Sequence, residues 1–289
     1  MIQMAGGMLA GRAILVTGGA GFGIGAGICS AVQAAGGTLV INDIDAEAAE
    51  KAAARHPGSF AVPGDVGDES EVRSIIDRAM QLVGDLDGLV NNAGVGLNVP
   101  AHAATAEQFD RLYGIDVRGV WLASRAFASY RTRASAAASI VNISSAHAHA
   151  TQNGYALYSS AKSAVEGMTR GMAVELGQYG IRVNGVAPGL VHAEQNAHLL
   201  ASVTNDPEAY IADHAISQQA LPTVIAPIDV GWPVAFLLSS LADGVTGATL
   251  SVDAGATIML YDRRYSGDLR PPLSQQAQPK GSSDVSAHN

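Results

Sequence analysis

Short apolar runs rich in branched residues alternate with longer stretches of helical spacing along most of this 289-residue chain. No other feature limits its fold as sharply. Ala13–Val16, Leu39–Ile41, Leu86–Val90, Ser139–Ile143, Ile181–Val186 and Ala248–Val252 read as buried strands. Between them, Ile24–Ala35, Glu69–Val83, Glu107–Tyr130 and Ala156–Gln178 read as helices. Strands alternating with helices lie parallel in a sheet covered on both faces. Right-handed crossovers reduce the choices to an α/β, doubly wound (Rossmann-type) sheet of about seven strands. One domain is expected over residues 1–261, because no repeat or linker interrupts the pattern. From Asp262 to Asn289 the chain is polar and holds Pro271, Pro272 and Pro279. Such a segment buries too little surface to fold alone, and a mobile tail is expected. The alternative is that Tyr261 and Tyr265 dock against a neighbouring subunit.

Composition removes several classes. Apolar residues make up 48% and charged residues 15%, which supports a large core and excludes general disorder. A net charge of −9 argues against nucleic acid as a partner, since phosphates need a basic face. The single cysteine, Cys29, cannot form an internal disulfide, and no residue cluster has metal-ligand spacing. No apolar run approaches the ~18 residues of a membrane span. The first eleven residues carry no charge, unlike the basic start of a signal peptide. A soluble, cytoplasmic protein is expected, with no membrane partner and no metal.

The first strand runs into Thr17-Gly18-Gly19-Ala20-Gly21-Phe22-Gly23-Ile24-Gly25, and a helix pattern follows at once. A glycine-rich turn there lets backbone approach a pyrophosphate, which the free N–H groups of the helix N-terminus then hold. Asp43 ends the second strand eighteen residues past Gly25, near the ~20 expected for an acid that binds an adenosine ribose. A carboxylate there accepts from both ribose hydroxyls and repels a 2′-phosphate. Neither the turn nor Asn42–Ala46 contains Lys or Arg, so NAD(H) is favoured over NADP(H). The alternative is that Asp43 only caps the next helix, which Asp45 can do equally well.

Tyr158 and Lys162 stand four apart at the start of a helical pattern and share a face. Lysine occurs only at 51, 162 and 280, so one placed in an apolar stretch needs a reason. An ammonium beside a phenol stabilises the phenolate, and such a tyrosine can pass a proton to or from a substrate oxygen. A solvated helix pair is the plainer alternative. Upstream, Ile140–Ser145 is a strand that ends in two hydroxyls, and Ser145 is placed to hydrogen-bond the same oxygen.

With these residues in view, the chain resembles a compact short-chain dehydrogenase/reductase over about residues 10 to 256. The matching pieces are the Thr17–Gly25 turn, Asp65-Val66, Asn91-Asn92-Ala93-Gly94, Ser145, Tyr158-x-x-x-Lys162, Pro188-Gly189 and Val252-Asp253. The resemblance implies Tyr158 as general acid/base and Ser145 polarising the carbonyl or alcohol oxygen. It implies that Lys162 binds the nicotinamide ribose and lowers the tyrosine pKa. Asp65 and Val66 would flank the adenine, and Asn92, Ala93 and Gly94 would line the cofactor floor. Pro188, Gly189 and Val191 would pass along the nicotinamide. Family members are usually dimers or tetramers, so a homotetramer or homodimer is expected, packed through the two long helices.

Three departures from the family pattern stand out. The glycine turn carries one extra residue, which either bulges outward or alters the pyrophosphate contacts. The position of the family's catalytic asparagine holds Asp116, which can hold the same water and pair with Lys162, while its charge tends to raise the Tyr158 pKa. Ala193 replaces a common threonine, leaving backbone, His192 or Thr204 to contact the carboxamide.

His147, His149, Gln152 and Asn153 lie between Ser145 and Tyr158, a segment that faces the substrate in this family. They suit an oxygenated substrate, and His147, His149, Asn153 and His192 are candidate contacts. Residues 192–221 are expected to form a helical flap, with Pro207 near a helix start and Leu199, Leu200, Tyr210 and Ile211 as an apolar lid. Trp121 and Trp232 are expected in the core or in subunit contacts. The expected activity is NAD(H)-dependent interconversion of a secondary alcohol and a ketone, a small-molecule substrate. Alternatives are a 3-oxoacyl-(acyl-carrier-protein) reductase or a non-catalytic cofactor-binding protein.

Overall fold

The structure is a computed structural model, and it describes residues 7–193, 200 and 204–262. Seven parallel strands form one sheet in the order β3-β2-β1-β4-β5-β6-β7. They are β1 Ala13–Thr17, β2 Thr38–Asn42, β3 Phe60–Ala61, β4 Gly88–Asn91, β5 Ala138–Ile143, β6 Ile181–Pro188 and β7 Thr249–Val252. The helices are α1 Ile24–Ala34, α2 Ala46–Arg55, α3 Glu69–Val83, α4 Ala106–Tyr113, α5 Val120–Ala134, α6 Ala156–Gly177, α7 Pro207–Ser217 and α8 Pro227–Leu238. Strand order reverses between β1 and β4, which opens a crevice at their carboxyl ends.

The alternation of side chains along each strand builds two cores. Ile14, Val16, Leu39 and Ile41 face Ile28 and Val32 of α1 and Val230 and Val234 of α8. Leu15, Val40, Leu89 and Ile140 face the other way, toward Ile75 and Ile76 of α3 and Leu122 and Phe127 of α5. These strands therefore bury both faces, as a parallel sheet requires. Helices α1 and α8 cross at glycine. A Cβ on Gly231 would lie 2.4 Å from the carbonyl oxygen of Gly27, and one on Gly27 would lie 2.2 Å from Pro227 backbone. Gly231→Val is expected to lower stability by about 3 kcal/mol through overpacking. Urea unfolding measures it, and an unchanged midpoint would contradict this packing.

Strand and helix positions follow the sequence reading to within about two residues, except that the helix expected to end at Tyr130 runs on to Ala134. The Glu107–Tyr130 helix is not uniform: a π-helical segment, Gly114–Gly119, separates α4 from α5. A π turn rotates one residue relative to α-helical register, and Asp116 inside it is completely buried. Three elements were not foreseen. Strand β3 has two residues, α2 is an Ala/Glu-rich surface helix, and α8 is apolar nearly all round with Pro233 inside it. Trp121 and Trp232 are 40% and 43% exposed, which removes the core half of the expectation and leaves subunit contacts as its other half. Within the expected flap, α7 begins at Pro207, with Leu200 and Ile211 buried and Tyr210 exposed. Leu199, Tyr265 and the tail beyond 262 lie outside the described residues. Among those described, no helix is long and apolar enough to cross a membrane.

Candidate active site

The cofactor end is built from the carboxyl ends of β1, β2 and β4. Thr17 is buried, and its Oγ1 donates to the Val90 carbonyl (3.2 Å) and accepts from the Asn92 and Ala93 amides (3.1 Å each). Asn92 Nδ2 donates to the Thr17 and Gly18 carbonyls at 3.0 and 2.8 Å. The two strand ends are thereby clamped together beneath the turn. Gly18 turns there with φ +62°, and a Cβ on it would meet Ala93 Cα at 2.7 Å. A Cβ on Gly25 would lie 2.2 Å from the Gly18 carbonyl oxygen, so helix and turn touch only because residue 25 is glycine. The Gly19 amide donates to the Asn42 carbonyl (3.1 Å). Gly23 caps α1 without a side chain, leaving the amides that follow Ile24 without a side-chain cap.

The extra turn residue goes outward. Gly21 and Phe22 are exposed, and the Phe22 ring packs under the Arg55 guanidinium, 4.8 Å from centroid to Cζ. Arg55 Nη2 also donates to the Ala20 carbonyl (2.8 Å). A cation therefore does reach the turn, from the end of α2, where the sequence reading of local charge had none. Asp43 Oδ2 accepts from the Ala20 amide (3.3 Å). Asp45, not Asp43, caps α2 by accepting from the Ala48 amide (3.1 Å). Asp43 Oδ1 in turn accepts from the Asp45 amide (3.3 Å), so Asp43 adjoins the cap without being it.

The other end gathers β5, α6 and the π segment. Lys162 is buried, with Nζ 3.0 Å from Asp116 Oδ2 and donating to the Ile143 carbonyl (3.3 Å). Asp116 Oδ1 accepts from the Val95 amide (2.8 Å), and a Cβ on Gly94 would crowd the carboxylate at 2.9 Å. Lys162 Nζ lies 5.6 Å from the centroid of the half-buried Tyr158 ring. Burial works to lower the Lys162 pKa, but the negative charges of a Tyr158 phenolate and Asp116, and the bond to Asp116, outweigh it and the net direction is upward. Ser145 is buried at the end of β5, its Oγ accepting from the His147 amide (3.2 Å).

A cleft of about 700 Å³ joins the two ends. Asp43, Asp65 and Val66 line one side, Asn92, Ala93 and Gly94 its floor, and Asp116, Tyr158 and Lys162 the other side. Gly18 and Ile24 also line it. Thr17, Gly19, Gly23, Gly25 and Ser145, expected at the site, do not line it; Ser144, the neighbour of Ser145, does. Pro188, Gly189 and Val191 do not line it, and Val191 instead bridges to Ile225.

The candidate substrate contacts divide. His147 stacks on Tyr155 (centroids 4.3 Å) and meets Tyr158 edge-on (5.6 Å), and burial holds its pKa below the usual value. His149 turns away to Glu166 (3.0 Å) and His192 to Glu208 (3.0 Å), while Asn153 is exposed. Thr204 is occupied with the backbone of Asp206 before α7. The sequence reading missed Tyr155 and Asn98, which line the cleft. Tyr155 stands three residues before Tyr158, a helical spacing that points it to the same side.

A parallel sheet whose switch point carries a glycine turn, with tyrosine and lysine at the far end of one cleft, defines a nicotinamide-cofactor oxidoreductase class. The chain belongs to the short-chain dehydrogenase/reductase family. A family model described as enoyl-(acyl carrier protein) reductase matches residues 19–257. The chain is 35% identical over 249 residues to 2-(S)-hydroxypropyl-CoM dehydrogenase 3 of Xanthobacter autotrophicus, covering 84% of this chain and 96% of that protein. Among solved structures it resembles a 3-ketoacyl-(acyl-carrier-protein) reductase from Brucella melitensis complexed with NADH, with TM-score 0.77, 30% identity, and 86% and 99% of the two chains covered. A gluconate 5-dehydrogenase from Burkholderia cenocepacia, in complex with NADP and tartrate, matches with TM-score 0.80, 31% identity, and 87% and 97% coverage.

Proposed function

We propose that the protein is an NAD(H)-dependent oxidoreductase that interconverts a secondary alcohol and a ketone. The observation that carries this reading is the buried Lys162–Asp116 pair beside Tyr158, in the same cleft as Asp43. The nicotinamide, when bound, gives or takes the hydride. The Tyr158 hydroxyl gives a proton to the substrate oxygen during reduction and its phenolate takes one during oxidation. The Lys162 ammonium favours that phenolate, and the Ser145 hydroxyl donates to the substrate oxygen as its charge changes. Asp116 keeps Lys162 charged, although its own charge works against the phenolate.

Residues at the glycine turn fit a dinucleotide: close-packed Gly18 and Gly25, a helix start with no side-chain cap, and an Asp43 carboxylate that lines the cleft. Asp65 and Val66 would flank its adenine. Pro188, Gly189 and Val191 do not line the cleft and would meet the nicotinamide only if the bound cofactor extends past it. Nicotinamide fluorescence titration tests the cofactor preference. NADH is expected to bind at least about tenfold more tightly than NADPH, and Asp43→Ala to narrow that ratio by about tenfold. Arg55 supports a second reading, because a guanidinium released from Ala20 can meet a 2′-phosphate. Equal or reversed affinities would favour that reading and an acyl-carrier-protein reductase. Binding of neither would favour a protein without this chemistry. We also propose a soluble cytoplasmic homotetramer or homodimer, packed through α4–α5 and α6, whose mass in solution light scattering would give.

A further inference from the structure

We propose that Glu166 is a positioning residue that anchors a polar seam between α6 and the segment after β5, and so sets the wall of the substrate pocket. The inference rests on the function proposed above. Three successive residues of that segment are each fastened to one face of α6. Ser159 Oγ donates to the His147 carbonyl (2.7 Å), Ser163 Oγ to the Ala148 carbonyl (3.3 Å), and the His149 ring meets Glu166 Oε1 (3.0 Å). The anchors at 159, 163 and 166 follow helical spacing along one stripe.

Glu166 closes the seam from inside. It is 7% exposed, and the same Oε1 accepts from Ser144 Oγ (2.9 Å), the residue before Ser145. Ser144 Oγ also reaches the Lys162 carbonyl (3.3 Å). One buried carboxylate oxygen thus ties the end of β5, α6 and the loop together. The loop carries His147, whose ring lies against Tyr155 and Tyr158. Its amide is bonded to Ser145 Oγ. A seam that slips moves both the ring beside the tyrosine and the serine hydroxyl. Glu166 itself does not line the cleft, and its effect passes through these neighbours.

The test uses the full chain with NADH and compares Glu166→Ala with Glu166→Gln, which keeps the accepting oxygen. Amide hydrogen exchange at 147–150 is expected to quicken by about tenfold or more in Glu166→Ala and to stay near parental in Glu166→Gln. With cyclohexanol and NAD⁺, KM is expected to rise about tenfold in Glu166→Ala with a smaller change in kcat, and Glu166→Gln to restore it. A Glu166→Ala protein that melts earlier yet keeps parental exchange at 147–150 and parental KM has lost only a structural contact, and the proposal fails. Should the parent not oxidise cyclohexanol, only the choice of alcohol fails, and the exchange comparison alone decides the seam.

Discussion

Tyr158→Phe is expected to lower turnover by about 10²–10⁴-fold while NADH affinity stays within a few-fold. The change deletes one hydroxyl and leaves the ring that packs edge-on against His147 and Tyr155. Lys162 keeps its partners, since Asp116 and the Ile143 carbonyl hold it rather than the tyrosine oxygen. The loss therefore isolates proton transfer from folding and from cofactor binding. Steady-state kinetics beside a fluorescence titration would check it. A variant that retained a third or more of parental kcat would remove Tyr158 from the mechanism.

Asp116→Ala is expected to cost about 3–5 kcal/mol of stability, because it leaves a buried ammonium without its counter-charge. Lys162 is 93% shielded at its side chain and Asp116 wholly so, so solvent cannot replace the lost partner. The sign with pH follows from the upward shift of Lys162. Its stabilising contribution is full below the unfolded lysine pKa of about 10.4 and fades as pH rises through the higher folded value. Melting at neutral pH therefore reads the whole effect, and the gap between parent and variant should shrink only in strong alkali. Asp116→Asn keeps the shape and removes the charge that opposes the phenolate. Its pH–rate profile for alcohol oxidation is expected to differ from the parent's, because the charge facing Lys162 is gone. Superimposable profiles would mean that Asp116 does not act on Tyr158.

What could be read from the sequence was what repeats or stands at a fixed interval. The alternation of branched strands with helices prescribes a parallel sheet, and Ile14 and Val16 against Leu15 and Val40 show both faces buried as that pattern requires. Tyr158, Lys162 and Asp43 were legible because spacing along a helix or past a strand fixes their place. Contacts made by long side chains across the fold were not. Arg55 lies twelve residues beyond Asp43, yet reaches the glycine turn from the end of α2. Nothing local distinguishes His149, turned to Glu166, from His147, turned to the tyrosines; their directions depend on how the loop lies on α6. The π segment was equally hidden, because Ile115-Asp116-Val117 continues a helical pattern and the pairing of Asp116 with Lys162 is made across the fold.

The most direct test of the central claim is label transfer. The parent protein would be incubated with NAD⁺ and a panel of cyclic and aromatic secondary alcohols deuterated at the carbinol carbon, and the reduced nicotinamide analysed by mass spectrometry. The account predicts that deuterium appears on the nicotinamide ring with at least one alcohol, and that Tyr158→Phe abolishes most of the transfer. Tight NADH binding with no label moved from any alcohol, or equal transfer by the variant, would contradict it.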